Sequence, residues 1–439
     1  MDIFEAINDN NLDELKEIIK YSNINNLNNV NIYGEPPFYY ACKIGAFKMI
    51  KYMINDQRIN VNKPNKQGNT PFFIACYNNY IDIVLFMMNN ERININKSNN
   101  NKETPFWIIC NMNHLNLVEL MISNPNIDVN KPNNYGESPF WIACSKNNFE
   151  IVLFMMKNER INLNKTNNDN VSPFWLVCSM KYLDLIKIMI YNPKINVNEK
   201  NINGETPFFF LCSENDLKNY IKIILFMMEN ERIDLNQPDN NEQTPFWIAC
   251  YRSDLNLVKH MIVNKKIDVN KSDLNEETAF WYACSDNNIE LVLFFLENER
   301  IDINKADYIG NTPFSIACEN NCITIVKHLI KDYRIFINTK NDNDETPLYL
   351  ACKKENINII KLLLSTERYI KFDDELNLIL ENENITQKIK DIIINYIKNE
   401  SKQKIKLNKN ELFLLNTIDY NNLDYIKNIL KEKKFISKK

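Results

Sequence analysis

Apolar and polar positions alternate along this chain in pairs of short blocks. Phe72, Ile74, Ala75 and Cys76 form one apolar block, and after the polar pair Asn78-Asn79 a second follows at Ile81–Met88 (IDIVLFMM). Their spacing fits two short helices joined by a turn. Thr70-Pro71 marks the first helix start, because threonine can cap orphan amides and proline needs no N–H at the first helical position. The opening proline recurs at Pro37, Pro71, Pro105, Pro139, Pro173, Pro207, Pro245, Pro313 and Pro347, with Ala279 in the remaining slot. The interval is 34 residues, except for one step of 38 between Pro207 and Pro245. A fixed interval of this size predicts a solenoid of stacked supersecondary units.

Between units lies an Asn-rich turn. Gly34, Gly68, Gly136, Gly204 and Gly310 share its register, as glycines needed for left-handed turns do. Asn170 and Asp344 replace glycine tolerably. Lys102, Glu242 and Glu276 do so less well, and distorted turns are expected there. The four extra residues between Cys212 and Ile223 predict a longer inter-helix loop around Asn215–Tyr220. A second pattern overlies the first: Leu85, Leu153, Leu225 and Leu293 stand where alternate repeats carry Lys51, Glu119, Lys187, Lys259 and Lys327. These leucines either pack on neighbours or form a spaced apolar ridge.

The unit resembles the ankyrin repeat. The family's T-P-L-H-x-A box stands here as TPFWIAC (Thr244–Cys250) and its variants, and the D-V-N stretch as Ile127-Asp128-Val129-Asn130 and Ile267-Asp268-Val269-Asn270. Cysteine replaces the second alanine, and tryptophan or phenylalanine replaces histidine. The resemblance implies an all-α ankyrin-repeat solenoid of stacked helix–turn–helix units with β-hairpin or turn fingers and a helical C-terminal cap region. The expected domains are an N-terminal capping helix pair at 1–33, ten repeats at 34–369, and a divergent helical region at 370–439. In the last, Ile385–Ile397 and Leu412–Leu430 have helical periodicity.

The net charge of −4 over 439 residues argues against bulk nucleic-acid or anionic-membrane binding. No run of about 18 apolar residues predicts a membrane span, and the start MDIFEAINDNN has no apolar stretch of signal-peptide length. A cytoplasmic, reducing compartment and a monomeric chain are expected.

Ten of the 11 cysteines share one register, from Cys42 to Cys352. Stacked neighbours would lie about 10 Å apart, beyond the roughly 7 Å reach of a disulfide and too far to share a metal. Core packing is favoured over chemistry. Cys318 and Cys322 form an i, i+4 pair without further ligands, and His114 falls near Cys110; both are weak candidates. No phosphate loop, dinucleotide fingerprint or hydrolase motif occurs. No metal or cofactor is expected. Five tryptophans (Trp107, Trp141, Trp175, Trp247, Trp281) share a column, read either as a seal between repeats or as an exposed ladder in the groove. Seven of the eight arginines share another, Arg58 to Arg368. Helix termination is favoured for them over an acidic-partner ridge, with glutamates such as Glu91 and Glu159 partly neutralising them.

The resemblance implies a non-catalytic scaffold that binds a protein partner through fingertips and a concave helix face. Its expected readers are Tyr33, Lys66, Gln67, Tyr77, Asn78, Asn111, Met112, Tyr135, Lys146, Tyr251, Arg252, Tyr308 and Ile309. Alternatives are a host-directed effector that binds in the same way, or part of a larger enzyme with catalysis outside the array.

Overall fold

The computed structural model describes residues 2–214, 217–366 and 373–404. They form helices linked by turns, and no strand occurs among the described residues. Two compact units are distinguished, Met1–Asp234 and Leu235–Lys439. In the first, helices Ile3–Asn8, Leu12–Tyr21 and Ile24–Asn28 precede the pairs. The pairs are Pro37–Ile44 with Phe47–Met53, Pro71–Tyr77 with Ile81–Met88, Pro105–Asn111 with Leu115–Ile122, Pro139–Ser145 with Phe149–Met156, Pro173–Ser179 with Leu183–Ile190, and Pro207–Ser213 with Leu217–Glu229. The second unit holds Pro245–Tyr251 with Leu255–Val263, Ala279–Ser285 with Ile289–Leu296, Pro313–Glu319 with Ile323–Lys331, and Pro347–Lys353 with Ile357–Ser365. Helices Asp373–Glu381 and Gln387–Lys404 follow. The periodicity at Ile385–Ile397 falls mainly on the last of these, while Leu412–Leu430 lies outside the described residues.

Each first helix starts as its residues dictate. Thr70 Oγ1 accepts the Phe73 amide at 3.1 Å and Ser138 Oγ accepts the Trp141 amide at 3.1 Å, with proline next in both. The helix ends when the chain turns left-handed at Asn79 (φ 58°), Asn113 (φ 59°) or Asn147 (φ 55°). Asparagine tolerates that conformation better than most residues. The core lies between the two helices of each pair and the next pair. Phe72, Ala75, Cys76, Val84 and Met87 are fully or almost fully buried, as are their equivalents.

Polar side chains join one repeat to the next. Asn62 accepts the Asn94 amide at 2.8 Å and donates to the Arg92 carbonyl at 2.6 Å. Asn130 does the same with Asn162 (2.8 Å) and Arg160 (2.6 Å), and Asn270 with Asp302 (2.8 Å) and Arg300 (2.8 Å). Arginine works in the opposite direction along the chain. Arg92 donates to the carbonyls of Ile54, Asp56 (3.0 Å) and Ile59 (2.7 Å), at and just beyond the end of the preceding repeat's second helix. Arg160 reaches Ile122 (2.8 Å) and Asn124 (2.9 Å) likewise. The column therefore does terminate helices, but those of the neighbouring repeat. Glu159, expected to neutralise Arg160, instead meets Lys194 at 3.3 Å. Arg58 and Arg334 pair with Asp56 and Asp332. Arg368 lies outside the described residues.

The alternation of charge and leucine on the second helices also has a physical basis. Lys51 holds its ammonium 4.1 Å from the Phe47 ring centre and 6.0 Å from that of Phe86 in the next repeat, and Lys259 lies 5.8 Å from Phe294. A cation from one repeat thus covers a ring of the next. Leu85 and Leu293 are exposed, whereas Leu153 and Leu225 are half-buried, so the apolar column is discontinuous.

Two expectations are corrected. The extra residues near Tyr220 do not all form a loop: Leu217–Glu229 is a second helix of 13 residues, where Ile81–Met88 has 8. Tyr220 is buried beneath Lys181, whose ammonium lies 4.2 Å from its ring centre. Asn215 and Asp216 lie outside the described residues. The finger turns at Lys102, Glu242 and Glu276 are not distorted either. Their φ values of 60°, 58° and 60° match the left-handed class of Gly68 (φ 83°), and the Lys102 amide still donates to the Asn99 carbonyl at 3.0 Å. Several neighbouring fingers share a backbone bond, such as Asn100 N–H to Gln67 (3.1 Å) and Asn134 N–H to Asn101 (2.9 Å). These bonds hold the turn in place despite its strain.

Opposite effects on stability follow for two turn substitutions. Lys102→Gly relieves a left-handed non-glycine residue and should stabilise the chain by up to about 1 kcal/mol. Gly68→Ala places a Cβ 2.7 Å from the Asn100 backbone nitrogen and should destabilise it by about 1–3 kcal/mol. Urea unfolding of both variants against the parent chain measures the two signs.

Candidate functional site

The fingers and the first helices meet at an angle, and the angle makes a groove. The finger is shaped by one side chain at its base. Asn65 Oδ1 accepts the amides of Gln67 (3.1 Å) and Asn69 (2.9 Å), which closes the turn and pushes Lys66 and Gln67 outward. The first helix supplies the other wall through Phe73, Ile74 and Tyr77. Together with Asn99–Asn101, Glu103 and Ile108 of the next repeat, these residues line a groove of about 530 Å³. The structure thus brings Lys66, Gln67 and Tyr77 to one site.

The other expected readers fall into two sets. Tyr33, Tyr135 and Tyr308 stand on finger tips and are 70%, 68% and 61% exposed, with Ile309 beside the last. Tyr77, Asn111 and Tyr251 end first helices, and Asn78, Met112, Lys146 and Arg252 cap them. Tyr77, Met112, Lys146, Tyr251 and Arg252 are exposed; Asn78 and Asn111 are half-buried. Asn78 donates to the Lys43 carbonyl at 2.9 Å, so its amide already serves the preceding repeat. A larger depression of about 890 Å³ lies by the second helices, lined in part by His328, Lys331, Asp332, Tyr333 and Arg334.

The tryptophans are not an exposed ladder. Trp107, Trp141, Trp175, Trp247 and Trp281 are all buried, the most accessible at 9%. Each indole N–H donates to a finger carbonyl of the next repeat: Trp107 to Glu137 (3.0 Å), Trp141 to Val171 (3.0 Å), Trp175 to Glu205 (3.2 Å), Trp247 to Glu277 (3.0 Å) and Trp281 to Asn311 (2.9 Å). An indole reaches that carbonyl and fills the joint at once, which a phenylalanine cannot.

Two surface residues were not legible as site residues in the sequence. Tyr282 lies with its ring centre 5.3 Å from that of Trp247 and 5.1 Å from that of Tyr251, and the Trp247–Tyr251 pair is stacked at 5.5 Å. Beside this cluster, burial and the nearby carboxylates of Asp273 and Asp307 push the Glu277 carboxyl up to about 7. Tyr282 occupies a position that is isoleucine in five of the ten repeats and tyrosine also at Tyr40, so its residue type alone did not mark it.

The cysteines are free and buried. Burial pushes the thiols of Cys76, Cys110 and Cys144 far above their ordinary range, which removes the reactive thiolate. Cys42 Sγ lies 3.8 Å from Met87 Sδ in the core. His114 turns its Nε2 to the Tyr77 carbonyl at 3.0 Å, toward the preceding repeat. No cluster of three metal-ligating side chains occurs among the described residues, and no described helix is long and apolar enough to cross a membrane. The native chain should therefore react with a thiol reagent such as dithionitrobenzoate only as it unfolds. The labelling rate should rise with urea in step with the unfolding transition.

The ankyrin domain of Bcl-3, described as a unique member of the IkappaB protein family, is similar to this chain with a TM-score of 0.45 and 17% identity, over 52% of this chain and 99% of that one. Among curated proteins no sequence matches. The family model for ankyrin repeats in sets of three copies matches residues 3–99, 86–169, 174–273, 246–341 and 309–375. Arrays of this kind are generally protein-binding scaffolds. With these matches spread over most of its length, the chain belongs to the ankyrin-repeat family.

Proposed function

We propose that this chain is a non-catalytic adaptor that holds a protein partner in the groove between its fingers and first helices. The observation that carries this reading is the meeting of Lys66, Gln67 and Tyr77 in one groove. Long polar and aromatic side chains there offer contact area and hydrogen bonding at once, the combination found in binding hot spots. Tyr33, Tyr135, Tyr251 and Tyr308 extend the same kind of surface to other repeats. Residues 1–33 act as the cap and 34–369 as the array, followed by the helices Asp373–Glu381 and Gln387–Lys404. The free thiols suit a reducing, intracellular setting, and the chain acts as a monomer without a cofactor.

A partner enriched on the full chain by affinity capture, and then purified, provides the test. Alanine at Tyr77, Tyr135 and Tyr251 together should weaken its binding at least about tenfold, the effect of losing one or two hot-spot side chains. Alanine at Tyr333, which is 86% exposed on the other depression, should change it little. The reverse pattern would place the partner on the second-helix side and reject the groove reading.

A further inference from the structure

One side-chain bond recurs at the base of the fingers. Asn31, Asn99, Asn133, Asn201 and Asn341 donate to the carboxylates of Glu35 (3.2 Å), Glu103 (2.7 Å), Glu137 (2.7 Å), Glu205 (2.7 Å) and Glu345 (3.1 Å). In three repeats of the second unit the asparagine becomes Asp239, Asp273 and Asp307, and Asn341 keeps it in the fourth. Asp273 Oδ1 still accepts the amides of Asn275 (2.9 Å) and Glu277 (3.0 Å), so the turn keeps its form. An aspartate, however, has no N–H to give to Glu277. Asp239 and Asp307 are followed at the same distance by Gln243 and Asn311, so only Asp273 is set against a carboxylate. Asp307 adds a third acidic group from the next finger.

In two other repeats a cation stands at this place, while Glu103, Glu137 and Glu205 have only the asparagine donor there. Lys43 meets Glu35 at 2.6 Å, and Lys353 meets Glu345 at 2.8 Å. Both lysines are eight residues beyond their glutamate, on the first helix. The eighth residue after Glu277 is Ser285. Around that position the surface is aromatic and acidic. Buried Trp247 forms the floor, with its N–H on the Glu277 carbonyl, and Tyr251, 47% exposed, and half-buried Tyr282 lie over it. Burial, Asp286, Tyr251 and Glu277 all push the Tyr282 hydroxyl up. Arg252, which follows Tyr251, has an interaction of its own.

We propose that Glu277, flanked by Asp273 and Asp307 and by the rings of Trp247, Tyr251 and Tyr282, receives a lysine side chain from a basic segment of the partner. The ammonium takes the place that Lys43 and Lys353 fill internally. Its charge meets the carboxylates, and its methylene stem and charge lie against electron-rich ring faces. The assignment rests on the groove reading and names the chemistry of the ligand that the groove selects in this unit.

Tetralysine and its fully ε-acetylated form, titrated into the full chain by calorimetry at constant near-physiological ionic strength, test it. Tetralysine should bind saturably and the acetylated peptide at least about tenfold more weakly, the scale of one charge-assisted hydrogen bond. Glu277 is protonated below about 7 and ionised above it, so binding should strengthen from about pH 6 to about pH 8. Asp273, Asp307, Asp286, Tyr251 and Tyr282 are the other titratable groups that face it. Glu277→Gln should lose about tenfold at the higher pH, and its pH dependence with it. Ser285→Lys should abolish binding and raise the thermal midpoint, since it supplies the missing cation from within. Tetralysine binding unchanged in both variants, or absent from the parent chain, overturns the assignment. If the tyrosine variants still impair the partner in that case, the groove reading stands and only the lysine site falls.

Discussion

The joint between repeats is the constraint on which this structure depends. A helix of seven or eight residues leaves most of its backbone groups without an intrahelical partner. In a stack, water cannot reach all of them. The turns and fingers between helices have the same need, and here the neighbouring repeat serves helices, turns and fingers with three side chains. Asparagine bridges two backbone groups, as Asn130 does with Asn162 and Arg160. Arginine caps the end of the helix before it, as Arg160 does at Ile122 and Asn124. Tryptophan seals the finger of the repeat after it, as Trp141 does at Val171. Each bond is modest, about 0.5–1.5 kcal/mol net for a neutral pair. Their number, and the cost of leaving a buried carbonyl bare, makes the stack cohesive.

The repeat was legible in the sequence because the physical requirements repeat. Most first helices open with a capping Thr or Ser and a proline that lacks a donor, and carry a small buried residue, so Thr244, Pro245 and Cys250 return in register. The direction of the polar contacts was less legible. A column of arginines after the second helix reads naturally as serving that helix, and only the stack shows Arg92 reaching back to Ile54 and Asp56. The length of a loop was also hidden: residues before Ile223 extend a helix because its apolar face could grow by another turn around Tyr220. Glu276 and Lys102 show that backbone position can override the residue's own preference when neighbouring turns hold it.

The surface was legible only in part. Tyr77 with Lys66 and Gln67 could be placed by register, because each repeat offers the same exposed slots. Glu277 and Tyr282 could not, because nothing in their own residue types marks them. Their significance comes from a departure: aspartate at position 273 faces a glutamate that other repeats pair with an asparagine donor, and no lysine stands eight residues on. In a repeat protein the scaffold is what recurs, and specific recognition resides where a single copy differs. An unmatched charge is tolerated there because the surrounding ladder keeps the finger in shape.

Hydrogen–deuterium exchange on the parent chain and on Asn130→Ala tests the central claim most directly. The Asn162 amide sits in an exposed turn and has no backbone acceptor of its own; Asn130 Oδ1 takes it at 2.8 Å. If cross-repeat side chains hold the stack together, that amide is protected in the parent and loses protection in the variant, together with neighbouring amides at the joint between the two repeats. Fast exchange at Asn162 in the parent, or protection unchanged by Asn130→Ala, would contradict the account and leave apolar burial alone as the source of cohesion.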